Sequence, residues 1–179
     1  MLDLGLPGDV RLRVLEEADA QPLHRVIAAN REHLIPWMPW ARTQTLEATL
    51  AFVRFTRRQL AGNDGMQTAI EVDGEIVGVV GLHGVSWAHA STSIGYWIAE
   101  PFTGRGIVTA AVRAYTRHAF RERRLHRMEL RAAVDNVRSR AVAERLGFVH
   151  EGVLRSAELV GDRRHDLVVY AALATEWDG

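Results

Sequence analysis

The chain has 179 residues, of which 47% are apolar and 25% are charged, a composition typical of one soluble globular domain. Its 22 basic and 22 acidic residues cancel, so the net charge does not favour a nucleic-acid partner. Cys is absent, which excludes disulfides, a thiol nucleophile and Cys-ligated metal clusters. Lys is absent as well, which excludes Schiff-base and pyridoxal-phosphate enzymes and a P-loop.

No segment of the sequence is apolar enough to cross a membrane. The longest strongly apolar run, Leu167–Ala174, is far shorter than the roughly 20 residues that a spanning helix needs. Met1–Val10 lacks the basic flank and the apolar core of a signal peptide. We therefore expect a cytoplasmic protein that forms one domain over residues 1–179.

The first third of the chain predicts one strand followed by two helices. Alternating apolar residues predict a half-buried strand over 10–14. Apolar residues at helical spacing predict a helix that Asp19 caps and that reaches Leu34. A second helix is predicted from Thr45 to the turn at 62–65. The stripe expected to face the core consists of Leu46, Leu50, Val53 and Leu60.

The rest of the chain predicts a hairpin and then alternating helices and strands. The hairpin joins strands 67–72 and 75–82 through Asp73-Gly74. Further strands are predicted over 91–99, 127–134, 148–160 and 164–174, and helices from Ile107 and from Asp135 or Asn136 to about Leu146. The order indicates a mixed α/β (α+β) sheet of seven strands, mostly antiparallel, with about four helices and two parallel crossovers.

Tyr96–Thr109, with the sequence YWIAEPFTGRGIVT, carries the clearest chemical signal. A strand runs into a short loop that contains Gly104 and Gly106, and a helix begins directly afterwards. Backbone N–H groups at a helix N-terminus bind anions, and glycines let a ligand approach the backbone closely. The loop therefore suits a pyrophosphate, although the dinucleotide fingerprint is absent because a Thr stands at position 109. Taken alone, the loop is equally consistent with a plain helix start.

Five segments in order resemble the GCN5-related N-acetyltransferase (GNAT) superfamily, and within it the RimJ/RimL-type ribosomal-protein N-terminal acetyltransferases. The segments are LIPWMPW, IGYWIAEPFTGRGIVT, NVRS, RLGFVHEGVLR and HDLVVYA. The resemblance covers most of the chain. It implies a GNAT fold with a V-shaped splay between the fourth and fifth strands, at 91–99 and 127–134, and acetyl-CoA as the acetyl donor.

The resemblance also implies which residues bind acetyl-CoA. Backbone amides of the glycine loop would wrap the pyrophosphate. The strand through Trp97 and Ile98 would pair with the pantetheine arm, and Asn136 would hydrogen-bond to that arm. The loop residues are Gly104, Arg105, Gly106, Ile107, Val108 and Thr109.

Ser139 and Glu158 are the candidate catalytic residues. Many relatives carry a tyrosine acid where this chain has Ala143, so Ser139 is the candidate donor to the leaving thiolate. The strand at 91–96 carries no carboxylate. The stretch LRSAELVGD resembles the segment in which ribosomal-protein acetyltransferases place a catalytic glutamate, so Glu158 is the candidate general base. The alternative for Glu158 is a solvent-facing strand residue.

Four further residues are candidates for the acceptor site, each with a structural alternative. Trp37 and Trp40 lie in a rigid aromatic loop that borders the acceptor groove in this family branch, or they plug the core. His83 and His165 could line the groove, although a structural role is the more common one for such residues. The eight His show no metal-ligand spacing, so no metal is expected. The basic run Arg117–Arg131 predicts a solvated helix end, with an RNA or acidic-peptide contact as the minority alternative.

The sequence thus predicts an acetyl-CoA-dependent N-acetyltransferase in which an amine attacks the thioester directly in a ternary complex. The expected acceptor is the N-terminal α-amine of a ribosomal or other protein. An α-amine has a reference pKa near 7.7–8.0, against about 10.4 for Lys, so it needs only modest help from a base. Two alternatives stay open: a small-molecule amine (an antibiotic, a polyamine or an aminoacyl compound) as acceptor, and a non-catalytic acyl-CoA-binding protein. The oligomeric state is open too, with a homodimer as one option.

Overall fold

The structure is a computed structural model that describes Leu4–Gly5 and residues 10–179. Its strands are β1 (Leu4–Gly5), β2 (Val10–Val14), β3 (Met66–Val72), β4 (Glu75–Ser86), β5 (Ser91–Ile98), β6 (Arg127–Ala133), β7 (Val149–Val160) and β8 (Arg163–Leu173). Its helices are α1 (Ala20–Ala29), α2 (Arg31–Leu34), α3 (Leu46–Ala61), α4 (Ile107–Arg121) and α5 (Val137–Arg145). Most of the segment considered for a signal peptide lies outside the described residues.

The described strands form one mixed sheet in the order β1-β2-β3-β4-β5-β6-β8-β7. The seven predicted strands are confirmed, and the two-residue strand β1 is added at one edge. Both predicted crossovers return the chain in the same direction, but among the described strands only β5 and β6 pair in parallel. Strand β8 inserts antiparallel between β6 and β7, which separates the second pair.

The parallel pair separates half-way along its length. β5 and β6 pair from Ser91 opposite Arg127 to Ile94 opposite Leu130, and no pairing of these two strands follows in the described part of the chain. β5 meanwhile stays paired with β4 as far as Ile98. The predicted V-shaped splay between 91–99 and 127–134 is thereby confirmed.

A separate apolar core lies on each face of the sheet. On one face, α4 and α5 pack on the sheet, and Ile107, Ala111 and Tyr115 of α4 are buried, as their spacing predicts. On the other face, α1 and α3 pack over Trp97 of β5. No helix in the described ranges is both long and apolar enough to span a membrane.

Two helical predictions need correction. The helix expected to reach Leu34 ends at Ala29, because Asn30 leaves helical geometry and a four-residue helix follows. The predicted start of the second helix at Thr45 is confirmed: Thr45 is the N-cap of α3, and its side chain accepts a hydrogen bond from the Ala48 amide. The apolar stripe is only partly confirmed: Leu46 and Leu60, at the two ends, are more than a third exposed. The buried row of α3 consists of Thr49, Val53, Thr56 and Gln59.

Asp19 does not cap α1 through its side chain. Its carboxylate instead accepts two hydrogen bonds of 2.7 Å from Arg13 and one of 2.7 Å from the Glu16 amide. Burial of the Asp19 carboxyl opposes ionisation, but the hydrogen bonds from Arg13 and Glu16 outweigh that effect and lower its pKa. The cluster fixes β2 to the start of α1, where the local sequence suggests only a cap.

We expect Asp19→Asn to destabilise the protein by about 1–2 kcal/mol at pH 7, because Arg13 loses a charged acceptor. A carboxyl whose pKa is lowered by folding stabilises the fold above its unfolded pKa, near 3.9, and this contribution is lost as pH falls through the folded pKa. The difference between wild type and variant should therefore shrink below about pH 4. Urea unfolding at pH 7 and pH 3 measures this difference in the free energy of unfolding. Glu17→Gln, in an exposed ion pair with Arg54, is the control and should change stability little at either pH. A difference at pH 3 as large as the one at pH 7 would contradict the assignment.

Candidate active site

Two cavities meet at the splay between β5 and β6. The first, of about 880 Å³, lies on the α1/α3 face, and we call it the aromatic cavity. The second, of about 1060 Å³, lies along the glycine loop and the first turns of α4 and α5, and we call it the loop cavity. The residues that line both cavities are Trp37, Met38, Tyr96, Trp97, Asn136 and Ser139.

The glycine loop is shaped to expose backbone amides. Gly104 and Gly106 have φ values of 73° and 78°, in the left-handed region that favours glycine. Gly106 is the N-cap of α4, so the unpaired N–H groups of the first helical turn point into the loop cavity. Gly104 and the segment 106–109 line this cavity, as the resemblance implies.

Positive charge surrounds the loop cavity. Arg113, Arg138 and Arg145 line it, and Arg145 also donates to the Thr109 hydroxyl at 3.1 Å. The single carboxylate among the described lining residues, Asp135, is already bonded to Arg163 at 2.5 Å. Helix N-termini and arginines together suit a ligand that carries several phosphate charges.

Arg105 is the one loop residue whose side chain does not line the cavity. Its guanidinium lies over the ring of Phe102, 4.8 Å from the ring centroid. Trp97 and Ile98, the strand residues expected to flank the ligand, are buried and line the loop cavity. In this structure the Arg105 side chain is engaged with Phe102 rather than with the cavity.

The junction of the two cavities carries polar groups from α5 and β5. Asn136 is the N-cap of α5, and its side-chain oxygen accepts from the Ser139 amide at 3.1 Å. The Ser139 hydroxyl lies 2.9 Å from the hydroxyl of Tyr96, which comes from the opposite side of the splay. Burial raises the pKa of Tyr96 to about 12, so this phenol stays protonated at neutral pH.

The aromatic cavity is mostly apolar. Trp37 and Trp40, from the loop between α2 and α3, line it together with side chains of α1 and α3. Trp40 also packs edge-on against Trp97, with ring centroids 6.0 Å apart. Glu158 is the one carboxylate among the described residues that line this cavity. Arg131 also lines the cavity, but its guanidinium is bonded to Glu129 at 2.5 Å, which leaves Glu158 to meet a ligand with one positive charge and an apolar body.

Glu158 reaches the cavity through an irregularity of the last hairpin. Leu154 pairs with Leu167, but Glu158 pairs with His165, so β7 carries two more residues than a regular ladder. Within this bulge Ser156 has a positive φ of 54°, and its amide donates to the Asp166 carboxylate at 2.7 Å. Asp166 therefore holds the bulge that places Glu158, rather than Ser156, opposite His165.

His83 lines the aromatic cavity on β4. Its ring lies over Gly95: a Cβ at position 95 would come within 2.6 Å of His83 Nε2. Desolvation by the atoms around the ring lowers the pKa of His83 and favours the neutral imidazole, although the residue remains exposed at the cavity. Gly95 thus provides the space that the His83 ring occupies.

His165 does not line either cavity. It is buried, and its ring packs 6.3 Å from the ring of Trp37, behind the cavity wall. The structure therefore brings Trp37, Trp40, His83 and Glu158 together around the aromatic cavity. His165 contacts only Trp37 among them through its ring and supports the cavity wall.

Much of the basic run Arg117–Arg131 is engaged within the protein. Arg123 lies over the Trp87 ring and donates to Asn63. Arg127 bonds to Glu151 and Glu129. Among the described residues, no group of three or more His, Cys, Asp or Glu side chains is arranged to hold a metal ion.

Sequence reasoning missed Tyr96 and Gly95 as site residues. Strand alternation does place Tyr96 on the opposite face from Trp97, towards α4 and α5. That signal gives the face but not the partner, since the contact with Ser139 depends on how α5 docks.

Three comparisons with known proteins bear on this geometry. Residues 9–149 match the family described as the acetyltransferase (GNAT) domain. The chain is 38% identical over 172 residues to YdaF of Bacillus subtilis (strain 168), which is provisionally named a ribosomal N-acetyltransferase. This match covers 95% of the chain and 94% of YdaF.

Two solved structures share the whole architecture. RimL, the ribosomal L7/L12 α-N-protein acetyltransferase in complex with coenzyme A, matches with a TM-score of 0.91 and 26% identity, over 96% of this chain and 97% of its own. The microcin C7 self-immunity acetyltransferase MccE, in complex with acetyl-CoA and AMP, matches with a TM-score of 0.87 and 26% identity, over 92% of each chain.

Proposed function

This chain belongs to the GNAT acetyltransferase family, and we propose that it acetylates the N-terminal α-amine of a ribosomal or other protein, with acetyl-CoA as donor. The observation that carries the proposal is the junction at the splay. An anion-binding loop cavity and an aromatic cavity with one carboxylate meet there at Ser139 and Asn136. The lining residues run from Leu23 to Leu167, which supports one catalytic domain over the whole chain.

The loop cavity fits acetyl-CoA. The left-handed glycines, the start of α4 and the three arginines suit the phosphates of the nucleotide end. The unpaired edge of β5 beyond Ile94 suits the amides of a pantetheine arm, which can bond to it as a neighbouring strand does. Acetyl-CoA supplies an acetyl thioester, whose thiolate is a good leaving group.

The aromatic cavity supports an α-amine acceptor. A single carboxylate matches one ammonium group, whereas a polyamine needs several acidic partners. The apolar walls suit the side chains of the first residues of a peptide. RimL and YdaF, whose names assign them to ribosomal proteins, support the same class of acceptor.

The residues at the junction suit direct transfer in a ternary complex. Glu158 accepts the proton that the attacking amine must lose, directly or through water. The amine nitrogen then bonds to the carbonyl carbon and the C–S bond breaks, with its electron pair going to sulfur. Unpaired backbone N–H groups of β5 polarise the carbonyl oxygen, and Ser139 donates a hydrogen bond to the departing sulfur.

A small-molecule amine is the second candidate acceptor. It is favoured by the match to MccE, whose structure holds AMP beside acetyl-CoA, and by flat aromatic walls that suit a planar ring. An assay for the release of free CoA thiol decides between the two candidate acceptors and the non-catalytic alternative.

Release of free CoA thiol tests the function. We expect peptides with a free Ser or Ala N-terminus to be acetylated faster than N-blocked peptides with an internal Lys, because an α-amine loses its proton more easily. Small amines serve as the comparison panel. Faster reaction of the N-blocked Lys peptides would contradict the α-amine assignment. Absence of thiol release with every amine would leave the non-catalytic alternative.

Replacing Gly106 tests the loop cavity. Gly106→Val should weaken acetyl-CoA binding, because a β-branched residue avoids the left-handed conformation that aims the loop amides. Calorimetry measures the affinity. Gly74→Val is the matched control: Gly74 has a similar φ of 80° in the β3–β4 turn but lines neither cavity. Equal affinity in wild type and Gly106→Val would refute the placement.

Replacing Glu158 tests the base. Glu158→Gln keeps the shape but cannot accept a proton, so kcat at pH 7 should fall about 10²–10⁴-fold while acetyl-CoA binding hardly changes. The loss should shrink above pH 8, where the α-amine is already neutral. Glu75→Gln, at an exposed turn, is the control. Near-normal turnover of Glu158→Gln at pH 7 would move the base elsewhere, with His83 as the next group to test.

A further inference from the structure

Tyr96 is the polar residue of the junction that has no role so far. Its hydroxyl lies 2.9 Å from Ser139 Oγ and 3.2 Å from the Ser139 carbonyl oxygen. Its side chain lines both cavities. Among the described residues shared by the two cavities, Tyr96 and Ser139 are the ones that carry hydroxyl groups. The two therefore form a hydroxyl pair across the splay.

The pair is built from two elements that the splay holds apart. Tyr96 comes from β5, and Ser139 comes from the first turn of α5, whose backbone Asn136 caps. Ala143, further along α5, is fully buried and carries only a methyl group, so this position cannot supply a hydroxyl. Tyr96 thus brings a phenol to the junction from the opposite side.

The direction of the hydrogen bonds decides what Ser139 can do. Tyr96 stays protonated at neutral pH, because burial raises its pKa to about 12. If the phenol donates to the Ser139 carbonyl, the serine hydrogen is tied to Tyr96. If the phenol donates to Ser139 Oγ, the serine hydrogen is free to point into the junction, and this bond is the shorter of the two.

We propose that Tyr96 is a positioning residue for the leaving group: its hydroxyl donates to Ser139 Oγ and turns the serine hydrogen towards the departing sulfur. This role rests on the proposed acetyltransferase function. As the C–S bond breaks, sulfur takes the electron pair and accepts the hydrogen bond from Ser139. No proton leaves Tyr96, and the thiolate takes its proton from water.

A double-mutant cycle tests the role. Tyr96→Phe removes only the oxygen, and Ser139→Ala removes its acceptor. We expect each single change to lower kcat about tenfold, and the double change to lower it about tenfold rather than about hundredfold, because residues that act as a unit are not additive. The KM and the calorimetric affinity for acetyl-CoA should stay near wild type in all three variants.

The leaving group provides a readout that a merely structural role would not move. An acetyl-CoA analogue with selenium in place of sulfur releases a better leaving group and needs less help. The penalty of Tyr96→Phe should therefore shrink with this donor. An equal penalty with both donors would overturn the role.

Tyr115→Phe is the matched control. Tyr115 is fully buried in α4, and its hydroxyl donates to Thr68 at 2.9 Å, away from both cavities. This variant should lose stability but keep kcat. A melting temperature that falls as far in Tyr96→Phe as in Tyr115→Phe, with unchanged kcat, would assign the Tyr96 hydroxyl to stability and overturn the proposal.

The outcomes separate this proposal from the function on which it rests. Wild-type thiol release combined with additive losses in the cycle would overturn the role of Tyr96 alone, because the phenol would then act independently of Ser139. Absence of acetyl transfer by the wild-type protein would overturn the proposed function, and the role of Tyr96 with it.

Discussion

The separation of β5 from β6 after Ile94 and Leu130 is the constraint on which the site depends. Inside a sheet, each strand satisfies its N–H and C=O groups through both neighbours, and backbone polar groups rarely remain unpaired. β5 keeps one neighbour as far as Ile98 but loses the other. Its remaining groups must bond to water or to a ligand with alternating donors and acceptors. The proposed donor, with its chain of amides, meets this requirement.

The same separation explains why two helix N-termini converge. β5 and β6 run in parallel, so their C-terminal ends lie at one edge of the sheet, and the chain turns into α4 and α5 at that edge. The start of α4 supplies the amides of the loop cavity, and the start of α5 carries Asn136 and Ser139. The proposed phosphate site and the proposed leaving-group site thus follow from one crossover geometry.

Local chemistry in the sequence predicts most of the fold. Asp73-Gly74 predicts its hairpin because both residues adopt positive φ, and Thr45 and Asn136 predict helix starts because their side chains bond to backbone amides of the first turn. Gly106 is a further local signal of this kind, because its positive φ marks the start of a helix. Each of these signals operates within about four residues of chain, which is the range that sequence inspection covers well.

Three features that sequence reasoning misses depend on contacts beyond the range of these signals, between residues 6 to 43 positions apart. Asp19 bonds to Arg13 rather than capping a helix, because β2 brings a guanidinium to it. Glu158 pairs with His165 because a bulge adds two residues to β7, and the contact of Tyr96 with Ser139 requires α5 to dock at the splay. Propensity and periodicity contain no information about such contacts.

The two cavities differ in how they are assembled, and this difference bears on specificity. The loop cavity draws mainly on two short stretches, 96–113 and 135–145, whose backbone geometry the sheet fixes. The aromatic cavity draws on α1, the loop that carries Trp37 and Trp40, α3, the four strands β3 to β6, the start of α5 and the last hairpin. Substitutions in those separate elements can reshape the proposed acceptor site while the proposed donor site stays intact, which fits structural relatives as different as RimL and MccE. The loop between α2 and α3 contributes Trp37 and Met38 to both cavities. Substitutions at these two residues should therefore affect the binding of both substrates together.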